Sequence, residues 1–515
     1  MMIHRKPRRC PLYFFMRKHN KSWYKPKGYL HFSPRLKEDQ KDFVLSYIEE
    51  KLDTHNFFPL IHETLIARRY KAYVNDNEKI YRSHYDVKKN KSSKKPREIF
   101  YANHLDAHIY AYFSNEILGK KYEALLKTDP LLSASITAYR RISIADTEKA
   151  NKCNIHFAKD VFMEIKRRET CIAVCYDIEN FFPSLNHEYL ETCWKNILCE
   201  KELIKSHKNV LRSLTKYSFV EMKDIVKSCS IEDLKISHKN DFLTSDFNSY
   251  FLSAKEFRDK IAKKNIIRVP KPDPQTNRLK GIPQGTPISA FLANLYLLEF
   301  DNFIVRELVE KNKCFYRRYS DDIVIIFENQ ESFHKWNTTI IDKICSEPFY
   351  LKINPDKTVI SEFSTQDGKI ICNTKIELSR SYSQNHSLKY LGFEYDGEQI
   401  LLKSASLAKF YRDMKMAIRR KFNRADSSKR YNNKYPLRKK KDTKMYLTKL
   451  YSRFTHLGKN KSKSNYLTYV DRAAKTMYPD LNSENNPISR QIKRAWSIFG
   501  KTVKSYEDET EKKGE

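Results

Sequence analysis

No stretch of the chain approaches the ~20 consecutive apolar residues that a helical membrane span needs, so no such span is expected. The ten cysteines include no CxxC pair and form no zinc-ligand cluster; the nearest spacing is Cys171-x3-Cys175 within a strand-like run. They read as reduced packing residues. The apolar piece Leu12-Tyr13-Phe14-Phe15 is too short for a signal peptide and runs at once into Arg17, Lys18 and His19, so a cytoplasmic location is expected. There is no internal repeat. Acidic residues are in short supply: 63 Asp+Glu stand against 97 Lys+Arg, a formal charge of +34. That excess exceeds what solubility needs and points to a polyanion. Nucleic acid fits better than a membrane surface, because 33 Tyr and 30 Phe supply flat faces on which bases stack.

At 515 residues the chain is expected to divide into roughly three lobes. Residues 1–35 are basic and aromatic, with prolines at 7, 11, 26 and 34, and read as an extended arm. From Lys41 to Lys71 apolar residues recur at helical spacing, in Phe43-Val44-x2-Tyr47-Ile48 and Leu60-Ile61-x3-Leu65-Ile66. Lys88 to Arg97 is a basic loop leading to Glu98-Ile99-Phe100-Tyr101. Helices are expected over Asp106–Leu126 and Phe157–Lys166, and again after Asn186, a candidate cap. Residues 200–265 are lysine-rich and largely helical in pattern, an insertion. Beyond 397 the chain is helical and basic. One helix has Leu407, Phe410, Tyr411, Met414, Ile418 and Phe422 as its buried stripe, and Arg419, Arg420 and Lys421 among the cations outside it. Two more helices are expected over Tyr466–Met477 and Ile488–Phe499, the second with Asn486 as cap and Gly500 just past its end. The charged tail, 501–515, reads as disordered.

Three acidic residues stand out by position. The run Cys171-Ile172-Ala173-Val174-Cys175-Tyr176 reads as a strand that delivers Asp177 at its end. Tyr319-Ser320-Asp321-Asp322 lies between two strand-like runs, so a tight hairpin with carboxylates at its tip follows. Adjacent acids there are costly to bury without cations, and hard divalent ions suit oxygen ligands. Convergence of Asp177 with Asp321 and Asp322 would hold two Mg2+ ions ~4 Å apart, the arrangement for in-line phosphoryl transfer. Two of only ten glycines fall within Gly281-Ile282-Pro283-Gln284-Gly285, where they would allow close backbone approach to a ligand; a helix follows from Ser289.

Taken in order, Asp177-Ile178-x2-Phe181-Phe182, Gly281-x-Pro283-Gln284-Gly285-x3-Ser289-x2-Leu292-x-Asn294, Tyr319-Ser320-Asp321-Asp322, Asn354-x2-Lys357-Thr358 and Tyr390-Leu391-Gly392-Phe393 resemble the successive palm motifs of reverse transcriptases. The resemblance spans about residues 90–400. More weakly, Lys27–Phe32, Ala138-Tyr139-Arg140-Arg141 and Tyr466–Ala473 are similar to segments of bacterial defence-associated enzymes of that family, among them abortive-infection reverse transcriptases. The family implies an α+β right-hand polymerase: fingers over 36–165, an antiparallel-sheet palm over 166–396 and a helical thumb and C-terminal region over 397–500.

It also implies roles. Asp177, Asp321 and Asp322, with the Ile178 carbonyl, would hold the metal ions. Lys357 would protonate the leaving pyrophosphate, and Phe182 would meet the sugar 2′ position as a steric gate. Gln284 and Gly285 would contact the incoming nucleotide and template base. Arg97, with Lys94 or Lys95, and Arg140 or Arg141 would hold triphosphate. Tyr390, Leu391, Gly392 and Phe393 would form the primer grip. Separately, the charge of +34 and the basic helix lead us to expect that Arg419, Arg420 and Lys421 bind RNA. Ser320 stands where family members often carry Ala, Met or Val. Neither an HNH-type nuclease pattern nor the spaced acids of an RNase H domain is present. The implied reaction is Mg2+-dependent addition of deoxynucleoside triphosphates to a DNA product on an RNA template, with a structured noncoding RNA as partner. Template-independent or protein-primed synthesis stays open, as does an RNA-binding scaffold or maturase that keeps the palm for its shape. The oligomeric state, including a homo-oligomer, is left open too.

Overall fold

The computed structural model describes residues 23–68, 71–74, 80–83, 85–86, 91–92, 94–144, 147–229, 248–251, 253–274, 276–355, 357–376, 386–438, 442–458 and 465–511. Residues 1–22 of the expected arm, 88–90 and 93 of the basic loop, the side chain of Lys95, residues 230–247 of the lysine-rich stretch and 439–441 lie outside the described set. The chain forms two compact units. One is drawn from the chain up to Pro130, Asn180–Glu299 and Ser346–Leu351; the other from Leu131–Glu179, Phe300–Cys345 and the chain from Lys352 onward.

In the first unit, the sequence-based helix over Lys41–Lys71 divides. Lys41–Lys51 is helical, but Leu60–Arg68 is a strand, antiparallel to Lys94–Tyr101 and parallel to Phe219–Glu221. Leu60 and Ile61 are buried while Leu65 and Ile66 are exposed, so the two apolar doublets never formed one helical stripe. Pairing with a strand about 30 residues downstream overrode the local pattern. Arg97 likewise sits on a strand, not in a loop.

The lysine-rich stretch is built in. It supplies the helices Lys205–Thr215 and Met222–Cys229 and the parallel strand, and its Val220, Ile225, Phe251 and Ile261 share a core with Ile61 and with Leu30 and Phe32. The end of the expected arm is therefore structural. His31 is fully buried there, with Phe32 N–H donating to Nδ1 at 2.9 Å and Nε2 3.1 Å from the Tyr101 carbonyl. Trp23 and Tyr24 pack with Val44 and Ala111, and Tyr24 stacks on His108 at 4.2 Å.

The second unit is organised on a five-stranded antiparallel sheet. Its order is Phe315–Tyr319, Asp322–Phe327, Cys171–Asp177, Val359–Gln366, Lys369–Ile376. Helix Asn154–Arg168 covers one face, where Ala158, Val161, Phe162 and Ile165 meet Ala173, Val324 and Ile326. A small sheet of Leu388–Tyr390, Phe393–Tyr395 and Ile400–Leu402 shares that core, as does helix Tyr466–Met477.

The 31-residue helix Ser404–Lys434 follows and buries Phe410, Met414, Ile418 and Phe422 against Thr448–Phe454 and Ala495–Glu511. The helix expected over Ile488–Phe499 is two: Pro487–Ile492, capped by Asn486, and Ala495–Glu511, with Gly500 inside rather than beyond it. The tail expected to lack structure is helical as far as Glu511. Phe499 and Val503 are buried, and Tyr506 packs 5.4 Å from the Phe422 ring, so an apolar stripe anchors a segment whose composition looks solvated. Among the described residues no helix is long and apolar enough to cross a membrane.

Candidate active site

The hairpin of the second unit turns over two residues, because Tyr319 pairs with Asp322 across it. Ser320 takes the left-handed conformation this turn requires, φ +61°. Asp322 then stands directly opposite Asp177 in the register of the two central strands. Two carboxylates 145 positions apart in numbering thus share one end of the sheet, with Asp321 beside them in the turn, as alternation and strand ends led us to expect.

Three supports hold this end in place. Under the turn, fully buried Arg318 donates Nε and Nη2 to Asp301 at 2.7 and 2.5 Å, and Nη1 to the Ser320 carbonyl at 3.2 Å. Tyr316 donates its hydroxyl to the same Asp301 at 2.5 Å. Beside the turn, the Thr137 N–H and hydroxyl both donate to the Arg318 carbonyl, at 3.0 and 2.8 Å, and the Tyr139 hydroxyl donates to Ser320 Oγ at 3.2 Å. Beyond Asp177, the Asn354 N–H donates to its carbonyl at 2.8 Å and Glu179 N–H donates to Lys352 at 2.7 Å, extending the pairing one step through Ile178.

Sequence reasoning missed Asp301, Arg318 and Tyr139. Alternation puts Tyr316 and Arg318 on one face of their strand, and an inward cation demands an acid. Nothing local says which acid supplies it.

Burial, then the charges of Asp321 and Asp177, raise the Asp322 carboxyl to about 6; Lys403 and Lys357 oppose the rise. The group is crowded by like charge yet still reachable by solvent at the open strand end. Such a site favours a cation, and carboxylate oxygens are ligands that hard divalent ions take. Among the described residues, however, no three acidic, histidine or cysteine side chains converge to enclose a metal ion. Instead, Lys357 places Nζ 2.5 Å from Asp177 Oδ2, so this lysine neutralises one of the three acids.

The remaining expected site residues fall as follows. In the second unit, Leu388–Tyr390 and Phe393–Tyr395 form a hairpin around Leu391 and Gly392, with φ +44° and +93°, and Asn154 donates to the Leu391 carbonyl at 3.1 Å. Tyr390 and Phe393 are core residues there. Arg140 donates Nη1 to the carbonyls of Ser133 and Ile136, at 2.6 and 2.8 Å, so its guanidinium is engaged locally. Arg419 and Arg420 are exposed, whereas Lys421 is half-buried.

The first unit carries Arg97, Phe182, Gln284 and Gly285. Arg97 and Gln284 expose their side chains and Phe182 is half-buried. The two glycines of the Pro-Gln-Gly block each make a close approach to the chain's own backbone. A Cβ on Gly281, φ +81°, would lie 2.5 Å from the Pro183 carbonyl oxygen, and one on Gly285, φ +118°, would lie 2.7 Å from that of Phe100. The Phe100 N–H donates to the Gln284 carbonyl at 2.8 Å and Ile282 N–H to that of Phe182 at 2.9 Å, so this block is stitched to both flanking motifs. The Ser289 hydroxyl closes the turn on the Pro283 carbonyl at 2.6 Å.

Residues 114–395, more than half of the chain, match the family described as reverse transcriptase (RNA-dependent DNA polymerase). The chain belongs to the reverse transcriptases. The five-stranded sheet is thus the antiparallel palm sheet of an α+β right-hand polymerase, in a family whose polymerases use divalent metal ions. No curated protein matches the chain. Solved structures similar to this reverse transcriptase include apo telomerase from Candida tropicalis, at 11% identity and TM-score 0.36 over 91% of this chain and 65% of that one. A form of it truncated from the C-terminal domain gives 10% and 0.35 over 71% and 59%. Telomerase from Candida albicans in complex with a TWJ fragment of telomeric RNA gives 10% and 0.37 over 92% and 67%. The chain spans about three fifths to two thirds of the length of these proteins.

Proposed function

We propose that this reverse transcriptase carries out Mg2+-dependent, RNA-templated addition of deoxynucleotides to a 3′ end. The observation that carries the reading is the register of Asp177 opposite Asp322, with Asp321 in the adjoining turn, at the end of a rigid antiparallel sheet. Asp177, Asp321, Asp322 and the Ile178 carbonyl would hold two Mg2+ ions, whose chemistry is to stabilise the attacking and leaving oxygens of phosphoryl transfer. The resemblance to the family's motifs gives further side chains their roles. Lys357 leaves Asp177 to donate a proton to the departing pyrophosphate, Phe182 bars a 2′-hydroxyl, and Gln284 and Gly285 shape the nucleotide side. Arg97, with Lys94 or Lys95, holds triphosphate, and Arg140 or Arg141 helps. The hairpin Tyr390–Phe393 steadies the primer end. In this reading fingers, palm and thumb occupy about 36–165, 166–396 and 397–500.

A structured noncoding RNA as template and a role in bacterial antiviral defence complete the proposal. They are supported by the charge of +34 and by the resemblance of Lys27–Phe32, Ala138–Arg141 and Tyr466–Ala473 to abortive-infection enzymes. Asp321→Ala with Asp322→Ala should abolish deoxynucleotide incorporation while leaving the fold and RNA affinity near those of the parent. Incorporation, RNA affinity and protection from phage are measured in parallel. Full phage protection without any synthesis would refute catalysis as the function and leave an RNA-binding scaffold.

A further inference from the structure

Within the second unit, a cavity of about 630 Å³ opens between helix Ser404–Lys434, helix Thr448–Phe454 and the start of helix Tyr466–Met477. Lys409, Lys449 and Arg453 line it against a single acid, Asp413. All three cations are exposed, and no ion pair engages them among the described residues. Ser452 and Asn465 add polar walls. Arg453 also lies over the Phe454 ring, 4.9 Å from its centroid, and three exposed cations against one acid around a concavity suit an anion with several oxygens.

The other side of the same short helix carries an aromatic platform. Trp496 is 47% exposed, its ring 5.6 Å from Tyr451 and 4.9 Å from His456, and it follows the exposed cations Lys493 and Arg494. A tryptophan held by two rings and left open to solvent among cations presents a fixed flat face on which a base can stack. Lys449 and Arg453 are four positions apart on that helix and so lie on one side of it.

We propose that Thr448–His456, together with Lys409 and Trp496, forms a binding site for single-stranded nucleic acid, with a backbone phosphate in the cavity and an unstacked base on Trp496. Cations and a π-face read backbone and base shape but no base edge, so the site is tolerant of sequence. It lies apart from the three acids of the sheet and holds a strand without acting on it. The proposal rests on the nucleic-acid reading of the chain but not on catalysis.

The test uses the full-length protein and a fluorescein-labelled oligouridylate of about 10 nucleotides, within the range one such groove accommodates. Lys449→Ala with Arg453→Ala should weaken binding at least about 10-fold and reduce the slope of log affinity against log salt by about 1.4, two single-strand phosphates' worth. Trp496→Ala should weaken it about 5- to 100-fold, while Trp496→Phe, which keeps a stacking ring, stays near the parent. A 4-thiouridine version should crosslink to Trp496 or His456. Unchanged affinity and slope in the double variant overturn the proposal. So does equal loss in Trp496→Phe and Trp496→Ala, or an acidic peptide competing as well as the oligonucleotide. The Asp321→Ala, Asp322→Ala protein should bind the oligonucleotide as the parent does, so failure of the catalytic reading would leave this result untouched.

Discussion

Arg318 keeps a full charge at zero exposure because Asp301 meets it with both carboxylate oxygens and the Ser320 carbonyl takes a third donor. Taking a guanidinium and a carboxylate out of water is repaid only by such complete pairing. Asp301→Ala leaves the cation stranded under the turn and should cost about 3–5 kcal/mol in denaturant unfolding. Asp301→Ala with Arg318→Met should recover much of the loss, because no charge is then left unpaired; a double variant as unstable as the single one would show that the packing, not the charge, was lost. Ser320 belongs to the same scale. It sits at φ +61° with its hydroxyl accepting from Tyr139, itself at φ +61°. Tyr139→Phe removes only that hydrogen bond, worth about 0.5–1.5 kcal/mol, so we expect a modest fall in nucleotide incorporation rate with only a small fall in melting temperature. A shift in melting without a change in rate would make Tyr139 a stability residue only. Phe182→Ala should raise ribonucleotide relative to deoxynucleotide incorporation; equal discrimination in an active variant would remove the steric-gate role.

Among the elements, helix Ser404–Lys434 shows how far pattern alone carries. Its buried stripe of Phe410, Met414, Ile418 and Phe422 follows from helical spacing, and the structure buries all four. The expected RNA-binding cations do not stand equally clear: Arg419 and Arg420 are exposed, but Lys421 is half-buried beside Phe422. Replacing all three by Ala should therefore flatten the salt slope of RNA binding by about 2 units, not 3, when each open arginine meets one phosphate. An unchanged slope would place the RNA on another face. Strand Leu60–Arg68 gives the opposite lesson, since its apolar doublets fit a helix as well as a strand and only the partner Lys94–Tyr101 decides between them.

On the scale of the molecule, buried histidines distribute unevenly. In the first unit burial drives His31 down to about 3 and His104 and His108 to about 4; like-charged neighbours, among them Lys27 beside His104 and His108, deepen the shift. His187 and His207 are also lowered there, whereas in the second unit the lowered histidine is His156. A histidine folded as neutral binds its proton only on unfolding. Its stabilisation is complete above the unfolded value of about 6.5 and is lost as pH falls toward the folded one. Each of His31, His104 and His108 forfeits about 1.4 kcal/mol by pH 5.5. Acid should therefore loosen the first unit before the second, read as earlier loss of amide protection around His104–Tyr112 than around Cys171–Asp177 between pH 6.5 and 4. Simultaneous loss would mean that the two units unfold as one.

The family, the order of its motifs and the three acids were legible in the sequence, because each is set by local chemistry. A continuous apolar strand has two ends, and Asp177 closes one such run while Asp322 opens another. Asn186 and Asn486 announced helix starts because a cap acts within three residues, and both accept the N–H bonds expected of them. What the sequence could not hold is whatever depends on a partner far along the chain. Asp301 for Arg318, Tyr139 for Ser320, Phe100 for Gly285 and Phe422 for Tyr506 are matched by the fold alone. Local spacing fixes which face of an element is apolar, and only tertiary packing fixes what that face, or a charge stranded on it, will meet.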